Sequence, residues 1–198
     1  MSARRLSFAA LVALAACAPA SFTRAPSTSL HGSDGRAHDL AAMAKGSRAL
    51  VVTFFSPTCP CQAAHDARLR ALSDAWSREG VAFVAVDADE GASPARDAAE
   101  ARARGYAFPI LTDARGDLAD ALGADVATYS VVFDASGRAR YRGGIDSDWT
   151  HVTADAEPWL DDAIRGVVHG GSAVADHHRG DDDGAAEHRA LGCPLRRP

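Results

Sequence analysis

Three short apolar runs, Ala49–Phe55, Val81–Val86 and Tyr129–Phe133, stand out from an otherwise mixed chain. They show little polar alternation, which suits strands buried on both faces. Between them the apolar spacing becomes helical. Leu69, Leu72 and Trp76 follow Pro60 on one stripe that stops near Gly80. Ser93-Pro94 is a cap and first-turn pair that opens a helix to about Arg104. A short helix is predicted over Asp117–Leu122, ending at Gly123, and a last one over Glu157–His169, starting at Pro158. Its apolar positions are Trp159, Leu160, Ile164, Val167 and Val168. Asp34-Gly35 turns a hairpin within Ser29–Leu40, Phe108–Leu111 reads as a short strand, and Asp134–Gly137 turns the chain back into a strand over Arg138–Arg142. Strands alternating with helices predict an α/β domain, a mixed central sheet with both faces covered. No internal repeat is visible.

The ends of the chain depart from this pattern. Arg4 and Arg5 precede an apolar run, Leu6–Ala16, too short to span a bilayer as a helix. It runs into Leu14-Ala15-Ala16-Cys17, which resembles a bacterial lipobox. Residues 1–16 are therefore expected to be a lipoprotein signal peptide and Cys17 the lipidated first residue of the mature chain; a plain signal peptide cut near Ala18 or Ala20 is the other reading. Residues 17–28 read as a Ser-, Thr- and Pro-containing tether, 29–169 as the domain, and 170–198 as a Gly-, Asp- and His-rich tail ending in Gly192-Cys193-Pro194. This organisation predicts a protein on the periplasmic side of the cell envelope, held to a membrane through Cys17.

Composition narrows the chemistry. A formal net charge of -5 and the lack of a Lys/Arg cluster argue against nucleic acid as a partner. Export places the domain where disulfides persist. With Cys17 acylated, Cys59, Cys61 and Cys193 remain, and an odd number cannot all pair within one chain. Three cysteines are also too few for a disulfide-stapled scaffold, which leaves a reactive role.

Cys59 lies between the first apolar strand and the first long helix, with Pro60 at the first helical position. A sulfur there faces unpaired backbone N–H groups and the positive end of the helix dipole, which favour thiolate, the nucleophilic form. As the capping residue Cys59 is expected to be the more exposed of the pair. Cys61, inside the first turn, shares a stripe with His65, Leu69, Leu72 and Trp76 and is expected to face the packed side, as a resolving or a structural thiol. His65 reads as a core histidine on that stripe, or as a ligand or base. Cys193 is either incidental to the tail or a resolving thiol folded back to Cys59. Cys59, Cys61 and His65 could together hold a soft metal such as Cu(I). The tail group His169, His177, His178, His188 and Asp181–Asp183 reads as solvated chain with at most loose metal affinity. Trp76 and Trp159 read as core, and Trp149 as a loop residue able to line a partner surface.

The run Val51–His65 resembles the active-site segment of thioredoxin-like proteins. It is more closely similar to the redoxin group of the alkyl hydroperoxide reductase/thiol-specific antioxidant superfamily. The likeness continues through Asp34-Gly35, Val86-Asp87, Phe108-Pro109-Ile110, Val131–Asp134 with Gly137, and Tyr141–Asp146, and so covers roughly residues 29–169. It implies a thioredoxin-like fold with an N-terminal hairpin. It also implies thiol chemistry at Cys59, resolved by Cys61 or Cys193. Three positions differ from the family pattern. One residue rather than two separates Cys59 from Cys61, Thr128 stands about where relatives place a cis-proline, and Val52 occupies the proline position of the peroxidatic Pro-x-x-x-Thr/Ser-x-x-Cys segment, whose Ser is Ser56.

Three functions follow as expectations. The leading one is an envelope thiol–disulfide oxidoreductase acting on a protein or small-molecule disulfide and served by an envelope thiol reductant. The second is a thiol peroxidase with peroxide as substrate. The third, from another class, is a non-catalytic binding module or copper carrier on the same scaffold. The first two need no cofactor.

Overall fold

The computed structural model describes residues 22–170 and 185–197. The apolar leader, Cys17, His177, His178 and Asp181–Asp183 lie outside the described residues. A two-stranded antiparallel hairpin, β1 (Ser29–His31) and β2 (Ala37–Asp39), precedes α1 (Leu40–Lys45). The main sheet follows: β3 (Ala49–Phe55), α2 (Pro60–Ser77), β4 (Val81–Asp87), α3 (Pro94–Arg104), β5 (Ile110–Thr112), α4 (Asp117–Ala121), β6 (Ser130–Asp134), β7 (Ala139–Gly143), α5 (Trp159–His169) and β8 (Ala186–Glu187). The strands lie in the order β5-β4-β3-β6-β7-β8. β4 runs parallel to β3 and β5, and β6 antiparallel to β3 and β7. This is the α/β thioredoxin-like fold with its mixed sheet and N-terminal hairpin.

Alternate residues of β3 divide the core. Leu50, Val52 and Phe54 pack with Leu40 and Ala44 of α1 and with Leu118 and Ala119 of α4. Ala49, Val51 and Phe55 pack on the other face with Leu69 and Trp76 of α2 and Leu160 and Ile164 of α5. All seven β3 residues are buried, which accounts for the unbroken apolar run. The strand therefore delivers the loop Ser56–Cys59 to its C-terminal end between two helix layers.

Four expectations from the sequence are corrected. Leu40–Lys45 is a helix, capped by the Asp39 carboxylate at 2.6 Å from the Ala42 N–H, where only a hairpin end was read. Residues expected as tether are in part anchored, since the Ala25 N–H bonds to the Gly137 carbonyl and Arg24 bridges Arg138. The tail is in part structured. Its residues 186–187 extend the sheet parallel to β7, and Leu195 is buried in the core. His188, read as solvated, is buried and stacks on Trp159 with ring centres 4.4 Å apart. The sequence signal for this return was weak because backbone pairing, rather than a periodic apolar stripe, makes most of it.

Candidate functional site

Cys59 caps α2, its sulfur accepting the Gln62 N–H at 3.5 Å, and Pro60 opens the helix without losing a bond because that N–H would have no partner anyway. The segment before it is held from three sides. Ser56 donates its hydroxyl to Asp89 at 2.6 Å, Arg104 reaches the Pro57 carbonyl at 2.9 Å, and the same guanidinium lies over the Phe55 ring and pairs with Asp66 at 2.6 Å.

Residues 191–196 form a strap across this corner. Leu195 N–H bonds to the Asp125 carbonyl and Ala127 N–H to the Cys193 carbonyl, both at 2.9 Å, so the strap runs antiparallel to residues 125–127. Asp89, which holds Ser56, also accepts the Arg196 N–H at 2.8 Å. Gly192 is required here by close approach, since a Cβ would fall 1.7 Å from the Ala127 carbonyl oxygen. Thr128, where the family pattern places a cis-proline, has a trans bond and a left-handed φ of 73°. That conformation costs a non-glycine residue about 1–2 kcal/mol. Its N–H bonds to the Phe54 carbonyl at 2.7 Å and its hydroxyl to the Leu191 carbonyl at 3.2 Å, which hold it there.

The strap brings Cys193 to Cys59, residues 134 apart in the chain. The Cys193 N–H points at the Cys59 sulfur from 3.4 Å. The sulfurs of Cys59, Cys61 and Cys193 all lie within 4.8 Å of one another, and all three are free thiols. Cys61 faces the packed side as expected, 1% exposed. Cys59, expected to be the more exposed, is only 2% exposed, because the strap covers it. Trp149 is 60% exposed.

The three thiols are unequal. Burial alone would push Cys59 up. Hydrogen bonds from the Cys193 thiol and from the backbone N–H groups of Gln62, Cys193 and Cys61 outweigh it and hold Cys59 below its ordinary value of 9.0. Burial, then the negative charge at Cys59, raises Cys61. Burial, then the hydrogen bond and charge of Cys59, pushes Cys193 up to about 12. Of the three, Cys59 is therefore the thiol that ionises most readily, with the two less acidic thiols beside it.

His65 does not join the sulfurs. Its Nδ1–H donates to the Cys61 carbonyl at 2.7 Å and its Nε2–H to Asp146 at 3.1 Å. Both partners are acceptors, so the two contacts favour the charged ring. Burial opposes that charge, but Asp146 and the Cys61 carbonyl prevail and raise the His65 pKa. Hydrogen bonds from His65, Arg68 and the Asp148 N–H overcome burial and lower that of Asp146. Both ring nitrogens are thus committed. The group able to hold a metal, expected from the sequence as Cys59, Cys61 and His65, is in space Cys59, Cys61 and Cys193.

Sequence reasoning missed Asp89, Arg104, Arg68 and Asp146. Asp146 sat inside the quoted Tyr141–Asp146 stretch and Asp89 two residues beyond Val86-Asp87, but neither spacing pairs them with α2 or the strap. Only the fold does so.

Comparison with curated proteins finds no match. Among solved structures, a hypothetical protein from Sinorhizobium meliloti is 27% identical, with a TM-score of 0.75 over 89% of this chain and 93% of that one. A secreted Mycobacterium tuberculosis disulfide oxidoreductase homologous to Escherichia coli DsbE is 19% identical, with a TM-score of 0.52 over 73% of this chain and 96% of that one. The Xanthomonas campestris bacterioferritin comigratory protein, described for its alkyl peroxide reduction activity, is 17% identical, with a TM-score of 0.56 over 77% of this chain and 98% of that one. The last two likenesses are of fold. The Redoxin family model matches residues 21–158. That span contains five of the six strands of the main sheet, the capping cysteine and the loop that receives the strap, and the chain belongs to the Redoxin family as a thiol redox protein.

Proposed function

We propose that this redoxin is a thiol–disulfide oxidoreductase in which Cys59 attacks and Cys193 resolves. One observation carries the reading: a strap closed by backbone pairing holds Cys193 against the Cys59 sulfur, 3.4 Å from its N–H. The Cys59 thiolate attacks one sulfur of a substrate disulfide. The S–S bond breaks, and the leaving thiolate takes a proton. The Cys59 charge is thereby consumed, which removes what helped hold the Cys193 proton. Cys193 then loses that proton and attacks Cys59, releasing the second substrate thiol. The substrate gains two electrons, the protein ends with a Cys59–Cys193 disulfide, and an external thiol reductant restores it.

Peroxide is the less favoured substrate. The Ser56 hydroxyl, at the position of the peroxidatic Ser/Thr, is committed as donor to Asp89. Val52 stands where the peroxidatic segment has proline.

The test is turnover of a small disulfide or reduction of the insulin disulfides, with mass-spectrometric mapping of the oxidised protein. Cys59→Ser is expected to lose at least about a hundredfold in rate. Cys193→Ser is expected to stop at a mixed disulfide on Cys59. A wild-type disulfide joining Cys59 to Cys61 with Cys193 free would overturn the assignment of the resolving thiol. Oxidation of Cys59 by peroxide with no disulfide turnover would replace the activity by the peroxidase one. We further propose export and anchoring through Cys17, supported by the lipobox-like Leu14–Cys17. An N-terminal peptide beginning at Cys17 and carrying a diacylglyceryl mass checks it, and an unmodified Cys17 rejects it.

A further inference from the structure

Cys61 has no task in the exchange just described, yet it is buried against both reacting sulfurs. We propose that Cys59, Cys61 and Cys193 form a three-thiolate site for a single soft monovalent cation, Cu(I), a property beyond the oxidoreductase reading and independent of it.

The geometry is close to what such an ion requires. A metal–thiolate bond is about 2.3 Å, so three sulfurs in a trigonal plane around one ion lie about 4 Å apart. The three sulfurs are already within 4.8 Å of one another. They come from two directions, Cys59 and Cys61 from the first turn of α2 and Cys193 from the strap. The cluster therefore exists only in the folded chain. No fourth Cys, His, Asp or Glu joins the group among the described residues. Structural zinc sites close with four ligands, whereas thiolates in a three-fold set suit Cu(I).

The surroundings match the charge. Three thiolates with one Cu(I) carry a net charge of -2. The N–H groups of Gln62 and Cys193 donate to the Cys59 sulfur and would steady it as a ligand. The His65 ring, one turn further along α2, is fixed to the Cys61 carbonyl. Phe54, Ala127 and Leu195 belong to the same buried cluster as the sulfurs and exclude water. Cys193, half-buried, is the open side by which an ion enters. Binding displaces thiol protons and transfers no electrons. It differs in this from the exchange reaction, and occupancy by Cu(I) blocks that reaction by engaging Cys59.

The test uses the full chain carrying Cys17→Ser, so that three sulfurs remain, reduced and kept free of oxygen. It is titrated with Cu(I) against a colorimetric Cu(I) chelator of known affinity, and the coordination is read by X-ray absorption. One Cu(I) per chain with three sulfur neighbours is expected. Cys61→Ser and Cys193→Ser should each weaken binding at least tenfold and leave two sulfurs, with thermal melts confirming that the variants fold. No copper held against the chelator, or a Cys193→Ser variant with unchanged affinity and sulfur count, overturns the proposal. So does preferential retention of Zn(II). Disulfide turnover is assayed separately on metal-free protein. Turnover without copper binding removes only the metal site, and copper binding without turnover removes only the oxidoreductase reading.

Discussion

Two distant parts of the chain clamp the first turns of α2, and they do so by different physics. On one side the strap reaches Cys59 through backbone hydrogen bonds to residues 125–127, an amide on Asp89 and the buried Leu195. On the other, Asp146 reaches His65 through a buried charge pair that Arg68 completes. The strap is a narrow extended segment held mostly by polar contacts, with Leu195 as its buried apolar residue. Opening it exposes few groups that water cannot satisfy. Opening the Asp146 clamp would strand a buried ion. The proposed exchange, in which the site admits a substrate and then closes on Cys193, would use one clamp of each kind. The charge pair fixes the helix on which Cys59 sits, and the strap is the part expected to open first.

The sharpest way to break this comparison is Gly192→Ala. Its Cβ cannot share space with the Ala127 carbonyl oxygen 1.7 Å away, so the strap cannot pair as it does. Cys59 alkylation is expected to accelerate more than about tenfold, and the Cys59–Cys193 disulfide to become scarce in the oxidised protein. Global melting should change far less. Unaltered alkylation would show that the strap does not guard Cys59.

Asp146→Ala comes next and should act in the opposite sense. Removing one partner of a buried ion pair costs about 3–5 kcal/mol, so global stability should fall while Cys59 stays covered. The pH dependence has a defined sign. The His65 pKa is raised above its ordinary 6.5, so its contribution is complete below 6.5 and is lost as pH rises through the folded value. The Asp146 pKa is lowered below 3.8, so its contribution is present above 3.8 and is lost as pH falls through the folded value. Denaturant melts across pH should show this plateau in the native protein and a reduced one in Asp146→Ala.

Leu195→Ala tests the single apolar contact of the strap. Truncating a buried leucine costs about 2 kcal/mol or more, and if that loss is confined to strap docking, the open population rises roughly thirtyfold. Alkylation of Cys59 under native conditions reads that rise. The smallest effect is at Thr128. Asparagine tolerates the left-handed conformation better than threonine. Thr128→Asn is expected to leave global stability within about 1 kcal/mol of the wild type, as measured by denaturant melts.

The strand runs, the long helices and both hairpins were legible because they depend on local spacing. Ala49–Phe55 reads as a buried strand from its own residues, and Ser93-Pro94 reads as a helix start without reference to any neighbour. Leu40–Lys45 was missed although Asp39 is an ordinary cap, because its six residues are too short to show a period. The strap was missed for a different reason. Its pairing uses peptide groups, which every residue possesses, and Gly192 matters only because a carbonyl from residue 127 happens to lie above it.

The sequence alone thus determined that a thiol caps a helix after a buried strand, because a proline at the first helical position and the free amides of that turn are properties of adjacent residues. Only the tertiary structure decided which other groups meet that thiol. Cys193 arrives from 134 residues away, and His65 turns to Asp146 instead of the sulfurs. Contacts of that length are selected by the closure of the whole sheet and its strap, which no local spacing encodes.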